Sequence, residues 1–144
     1  MFYSNGLNKQ FTLGKDERLK SRKLIEQLFS EGRRFAVSPF RVFYLFVTPQ
    51  PGGSKNKLQS GVAAGSKNFK KAVDRNRIKR LTKEAYRLQK QELEVAMEKS
   101  KKELKLFFVY TGKDLPEFIL VKEKMALMLN KLKTIVDENI ASDM

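Results

Sequence analysis

The chain contains no cysteine and no histidine. Without Cys there are no disulfides, no thiolate metal sites and no Cys nucleophile. Without His the commonest general base and metal ligand is missing. No apolar run approaches the roughly 20 residues of a membrane span, and the opening MFYSNGLNKQ does not have the pattern of a signal peptide. A cytoplasmic protein without a membrane partner is therefore expected. Acids are scarce too: 16 Asp and Glu face 30 Lys and Arg, a net charge of +14, which points to nucleic acid or an anionic surface as the partner.

Hydrophobic residues make up 41% of 144 positions, eleven of them Phe, which supports a folded chain over a disordered basic tail. The length predicts one domain over 1–144. It opens on an irregular lead-in at 1–14, where Phe11 and Leu13 are available to pack. Ser21 is a candidate N-cap for a helix reaching Glu31, with Gly32 beyond its end; Leu24, Ile25, Leu28 and Phe29 form its apolar face. Arg33–Val37 and Phe40–Thr48 read as strands split by Ser38-Pro39. The second is apolar on both faces, as in a central strand.

Residues 49–57, PQPGGSKNK, read as a flexible hairpin loop. Leu58–Ser66 is a third strand whose Gly61, Ala63, Ala64 and Gly65 leave space beside the sheet. A helix starts near Ala72, and Gln89–Glu103 either continues it or adds another. Leu104–Thr111 is a fourth strand, ended by Gly112. After Pro116, a stripe from Val121 through Met125, Met128, Leu132, Ile135 and Val136 traces a closing helix. The order α-β-β-β-α-β-α defines an α+β domain on a mostly antiparallel sheet.

Charge concentrates in one place. Residues 67–90 hold ten Lys and Arg against Asp74 and Glu84, or +8 of the total. At about 100° per residue, Arg75, Asn76, Lys79, Arg80, Lys83, Arg87 and Lys90 fall within an arc of roughly 140°. Ile78, Leu81, Ala85 and Leu88 lie opposite, as a core-facing stripe. Charge runs are commonly solvated faces balanced by acids at i+4. Here Arg75, Lys79, Lys83 and Arg87 repel along the helix, an arrangement that a row of phosphates relieves. Arg77 sits off this arc, so it either joins the phosphate contacts or pairs with a carboxylate in the core. Asp74 either helps the helix start or weakens phosphate attraction.

The stretch GSKNFKKAVDRNRIKRLTKEAYR, with Arg75-Asn76-Arg77 at its centre, resembles the signature of the bacterial ribonuclease P protein component. LGKDERLKSRKLIEQLFSEGRRF at 13–35 is similar to that family's opening helix, and SGVAAGSK at 60–67 also matches. The resemblance covers roughly 13–112. It implies an αβββαβα sandwich with a left-handed crossover around the basic helix (ribosomal protein S5 domain 2-like), against the right-handed rule.

The resemblance also implies a ribonucleoprotein endonuclease that removes the 5′ leader of precursor tRNA. The RNA subunit carries the chemistry with Mg²⁺, and the protein alone binds no cofactor. The residues agree independently. A protein nuclease wants His or clustered carboxylates, and the basic half offers only Asp16-Glu17, Glu26, Glu31, Asp74 and Glu84. No catalytic side chain, no protein metal site and no protein partner are expected.

Carried over as the catalytic-RNA contact are Arg75, Asn76, Arg77, Lys79 and Arg80, with Lys83 and Arg87 on the same helix. The matching leader-binding positions are Ile25, Phe29, Phe43 or Tyr44, and Lys67. Aromatic rings there stack on unpaired bases; for Phe29 the alternative is plain core packing. Ile25 departs from the aromatic that many relatives carry. An RNA-binding module of another class, such as a ribosomal protein, would use the basic helix without a leader cleft. A membrane-surface protein fits less well, because the helix lacks interfacial aromatics.

Overall fold

Ser21 opens the first helix. In a computed structural model of the chain, which describes residues 17–52 and 56–142, its hydroxyl accepts a hydrogen bond from the Leu24 N–H at 3.3 Å. That satisfies one of the donors a helix start leaves without an intrahelical partner. Helix α1 spans Arg22–Glu31, and the Gly32 N–H closes it by donating to the Leu28 carbonyl. Glycine is needed there for room: a Cβ would lie 2.3 Å from that same carbonyl oxygen. The lead-in at 1–14, with Phe11 and Leu13, lies outside the described residues.

Strands β1 (Arg33–Val37) and β2 (Phe40–Val47) pair antiparallel around Ser38-Pro39. β3 (Leu58–Ala64) and β4 (Glu103–Tyr110) complete a sheet of order β1-β2-β4-β3. β4 runs antiparallel to β2 and parallel to β3. The connection at 49–57 is therefore not a hairpin, since β4 separates the two strands it joins. Apolar runs at β2 and β3 carry no mark of which neighbour each takes, so this order was not legible.

A parallel pair needs a crossover. Here it consists of α2 (Ala72–Gln89) and α3 (Gln91–Glu98). The stretch after Gln89 is thus a separate helix, and α4 (Phe118–Ser142) closes the chain. The fold is α+β, with α3 added to the expected order.

Strand alternation sorts the sheet into two faces. Phe40, Val42, Leu104, Leu106 and Phe108 meet Ile78, Ala85, Tyr86, Met125, Met128 and Leu132 in the larger core. On the other face Phe43 and Phe107 pack with Leu19 and Leu28, under α1. Each large side chain so buried contributes roughly 1.5–3 kcal/mol. The space expected beside Gly61 is already filled: a Cβ there would fall 2.4 Å from the Phe107 ring. Ala64 is likewise committed to the larger core. The small residues of β3 accommodate this chain's own aromatic ring and helices.

Candidate nucleic-acid interface

α2 is held by Ile78, Thr82, Ala85 and Tyr86, all buried. Thr82 donates to the Ile78 carbonyl at 2.8 Å, and the Tyr86 hydroxyl shares a hydrogen bond with Ser60. These pairings let two polar residues occupy the core stripe. Leu81 is partly buried and Leu88 is exposed, so the buried arc is rotated from the expected one toward Thr82 and Tyr86. The outward side carries Asn76, Arg77, Arg80 and Lys83, all exposed, with Lys79 half-buried at its border. Arg77 stands in solvent with no carboxylate partner among the described residues. That removes the core-pairing alternative.

Three cations of the expected arc have internal duties. Arg75 donates through Nη1 to the carbonyls of Phe69 and Lys70, at 2.8 and 2.9 Å, tying the approach segment to the helix. Arg87 forks onto Glu84 at 2.9 and 2.6 Å, and these bonds hold the Glu84 carboxyl below its ordinary range. Lys90, placed on the cationic face by the wheel, is 2% exposed and pairs with Glu17 at 2.5 Å and Glu94 at 3.2 Å. It is not part of the outward row, because a burial-compensating partner lies far away in the sequence. Asp74 sits in the first turn, favourably placed for the helix dipole, without a side-chain cap at Lys71.

Arg18 comes from before α1 to join Asn76, Lys79, Arg80, Lys83, Glu84 and Arg87 around a depression of about 490 Å³. Sequence reasoning missed Arg18 at this surface. The signal lay in the backbone, where Arg18 bridges β3 at Ser60 and Leu19 N–H donates to the Ser60 carbonyl at 2.8 Å.

On the opposite face of the sheet from this helix lies α1. Phe29 is 41% exposed, and its ring meets Phe43 at 4.6 Å and Phe107 at 5.1 Å, both edge-on. It is thus half packed and half presented. Phe107 was not foreseen, since β4 is apolar at every position save its charged pair. Ile25 is half-buried against the same cluster. The pairing register sets Ala36, Arg41, Val109 and Ala63 in one cross-strand row next to the Arg34, Phe43, Phe107 and Gly61 row.

Tyr44 does not share this cleft. It lies on the opposite face, 6.0 Å from Phe35 and 6.5 Å from Phe46, because neighbouring strand residues alternate sides. Lys67 is exposed in the turn after β3; Asn68 pins that turn by donating to the Thr111 and Gly112 carbonyls.

A basic helix on the crossover of a four-stranded α+β sheet, with an aromatic cluster under the first helix on the other face, defines a class of small basic α+β proteins. The Ribonuclease P family profile matches residues 13–133. A ribonuclease P protein component from Porphyromonas gingivalis is 35% identical over 122 residues, covering 85% of this chain and 87% of the relative. One from Chlorobium phaeobacteroides is 30% identical over 129 residues, covering 85% and 88%.

Among solved structures, the RNase P protein of Thermotoga maritima aligns with a TM-score of 0.60 at 22% identity, over 80% of this chain and 96% of that one. A Staphylococcus aureus RNase P protein gives 0.61 at 16% identity, over 79% and 93%. The fold is theirs. The chain belongs to the ribonuclease P protein component family, whose members are subunits of a ribonuclease.

Proposed function

We infer that this chain binds the catalytic RNA of ribonuclease P through α2 and holds the 5′ leader of precursor tRNA beside α1. The endonuclease so assembled releases the mature tRNA 5′ end in the cytoplasm. The observation that carries this reading is the exposed row Asn76, Arg77, Arg80 and Lys83 on α2, together with a half-presented Phe29 on α1, within this family's fold. Arg forks suit phosphate oxygens, and Asn76 suits a sugar hydroxyl or base edge. Phe29 offers a flat ring to an unpaired base, and the exposed Lys67 ammonium suits a backbone phosphate.

Hydrolysis of the phosphodiester falls to the RNA, which also holds most of the Mg²⁺. The protein's part is to position two RNAs against each other. The test is reconstitution: protein, bacterial ribonuclease P RNA and precursor tRNA at low Mg²⁺ should give accurate 5′ cleavage. Protein alone, treated with micrococcal nuclease, should give none at any Mg²⁺ concentration. Cleavage by the treated protein would overturn the division of labour.

A further inference from the structure

α1 divides its face of the sheet in two. Ile25 and Phe29 flank the buried Leu28 on one side, while Leu24 and Gln27 flank it on the other. On that second side lies a cavity of about 640 Å³, within the usual range for small-ligand sites. It takes no part in the surfaces described above, apart from Arg18 at its rim. Leu19, Leu24, Leu45 and Val47 give it apolar walls.

Its floor is charged. Lys105 and Glu103 stand on the α1 face of β4, directly opposite Leu45 and Val47, and are 3% and 9% exposed. Lys105 Nζ donates to Glu103 Oε1 at 3.1 Å and to Gln59 Oε1 at 2.5 Å. Two apolar residues would hold this part of the sheet at least as well, since a buried ion pair seldom repays its desolvation. The pair instead presents complementary groups side by side. An ammonium has three donors, two of which are spent here. The second carboxylate oxygen of Glu103 receives no hydrogen bond among the described residues.

We propose that this pocket takes the base of an unpaired guanine nucleotide. Guanine alone among the bases sets two adjacent N–H donors, at N1 and N2, beside an acceptor, O6. Glu103 accepts from the donors and Lys105 donates to O6. The apolar walls cover the ring faces. Arg18 and Lys20 at the rim meet the phosphate. Adenine reverses the pattern at N1 and at the exocyclic position, so it places an acceptor against the carboxylate.

The experiment uses the full chain and fluorescence anisotropy with short single-stranded oligoribonucleotides carrying one guanine, inosine or adenine in a uridine background. The guanine strand should bind about 5- to 150-fold more tightly than the adenine strand. Inosine, which lacks the 2-amino group, should fall between them. Glu103→Gln should remove the guanine preference while leaving the base-independent, salt-sensitive component in place. Should that variant fail to fold, the inosine and adenine strands on the native chain still decide. Titration of free guanosine 5′-monophosphate separates the sources: weaker binding than the strand assigns the pocket to RNA, and equal binding assigns it to a free nucleotide. Equal affinity for the three strands, or a guanine preference that survives Glu103→Gln in folded protein, overturns the proposal.

Discussion

Lys90 and Glu17 stand 73 positions apart in the chain, and their side chains meet at 2.5 Å with Lys90 almost wholly buried. Glu94 joins from the next helical turn at 3.2 Å. The contact pins the segment before α1 to the junction of α2 and α3, and so fixes where the basic helix α2 ends relative to the sheet.

Removing the ammonium leaves two carboxylates facing each other, Glu17 largely buried and Glu94 half-buried. Lys90→Met should therefore lose about 3–5 kcal/mol of stability, read from urea unfolding. Lys83→Met, on the exposed side of the same helix, should change stability by no more than about 0.5 kcal/mol. Equal effects would mean that the buried contact does not form.

The same cluster predicts a pH dependence. Burial raises the Glu94 carboxyl above its ordinary value of 4.5, and its hydrogen bond with Glu17 adds to the rise, while Lys90 opposes it. A carboxyl whose folded-state value is raised binds its proton more tightly in the native chain. Its contribution is thus fully present below 4.5 and is lost as the pH climbs through the raised value. Glu94→Gln, which mimics the protonated form, should flatten the decline in urea midpoint from pH 4.5 upward. A parallel decline in both proteins would assign the dependence to other groups.

The α2 surface predicts a graded salt response. Arg80→Ala and Lys83→Ala together should make log affinity for the catalytic RNA less steep in log salt, by about 0.7–0.9 per lost contact. Thermal stability should stay put, because both side chains are exposed. Arg75→Ala should differ in kind, lowering stability as well, since its guanidinium holds the Phe69 and Lys70 carbonyls. If the double variant keeps the native slope, the RNA lies on another face.

Phe29 tests the cleft. Precursor and mature tRNA differ in the leader, so a leader contact appears as tighter binding of the precursor. One stacked base is worth about 1–3 kcal/mol, or roughly 5- to 150-fold; with Ile25 supplying no second ring, the lower end is expected. Phe29→Leu should narrow that preference and leave assembly with the RNA intact. Full discrimination by the variant would place the leader elsewhere.

Much of the fold was legible because its elements are strongly punctuated. Ser21, Gly32, Ser38-Pro39 and Gly112 bracket their segments by local rules, and the Met125–Val136 stripe has one period throughout. Side-chain facing was harder. β2 is apolar on both sides, so nothing in the string FRVFYLFV tells Phe43 from Tyr44; the parity comes from pairing with β4. Thr82 and Tyr86 do not stand out as core residues of α2, because their hydroxyls count as polar until Ile78 and Ser60 satisfy them. Lys90 looked like one more surface cation because its partner Glu17 is remote. At the candidate site the exposed residues were legible as a group, while Arg18 and Phe107 depended on strand order.

Gly61 shows the same lesson in a form that mutation can check. Gly61→Ala sets a methyl group 2.4 Å from the Phe107 ring, displacing the ring on which Phe29 leans. Destabilisation of about 1–3 kcal/mol is expected from such overpacking, with the leader preference narrowed alongside. A folded variant of native stability would show that the ring has room to turn.

The placement of β4 between β2 and β3 sets an order of events at the ribosome. β3 is synthesised early, yet apart from its bridge to Arg18 its sheet neighbour is β4, whose residues come some 46 positions later, as for Gln59 and Lys105. At about 5–20 residues per second, that strand waits roughly 2–9 s for its partner. A waiting strand invites pairing with other nascent chains. The composition of β3, with Gln59, Ser60 and Gly61 in its first half, is poor in the bulky β-formers that drive such pairing. The small residues that admit Phe107 in the finished protein thus also make the waiting strand a poorer template for pairing than a run of β-branched residues.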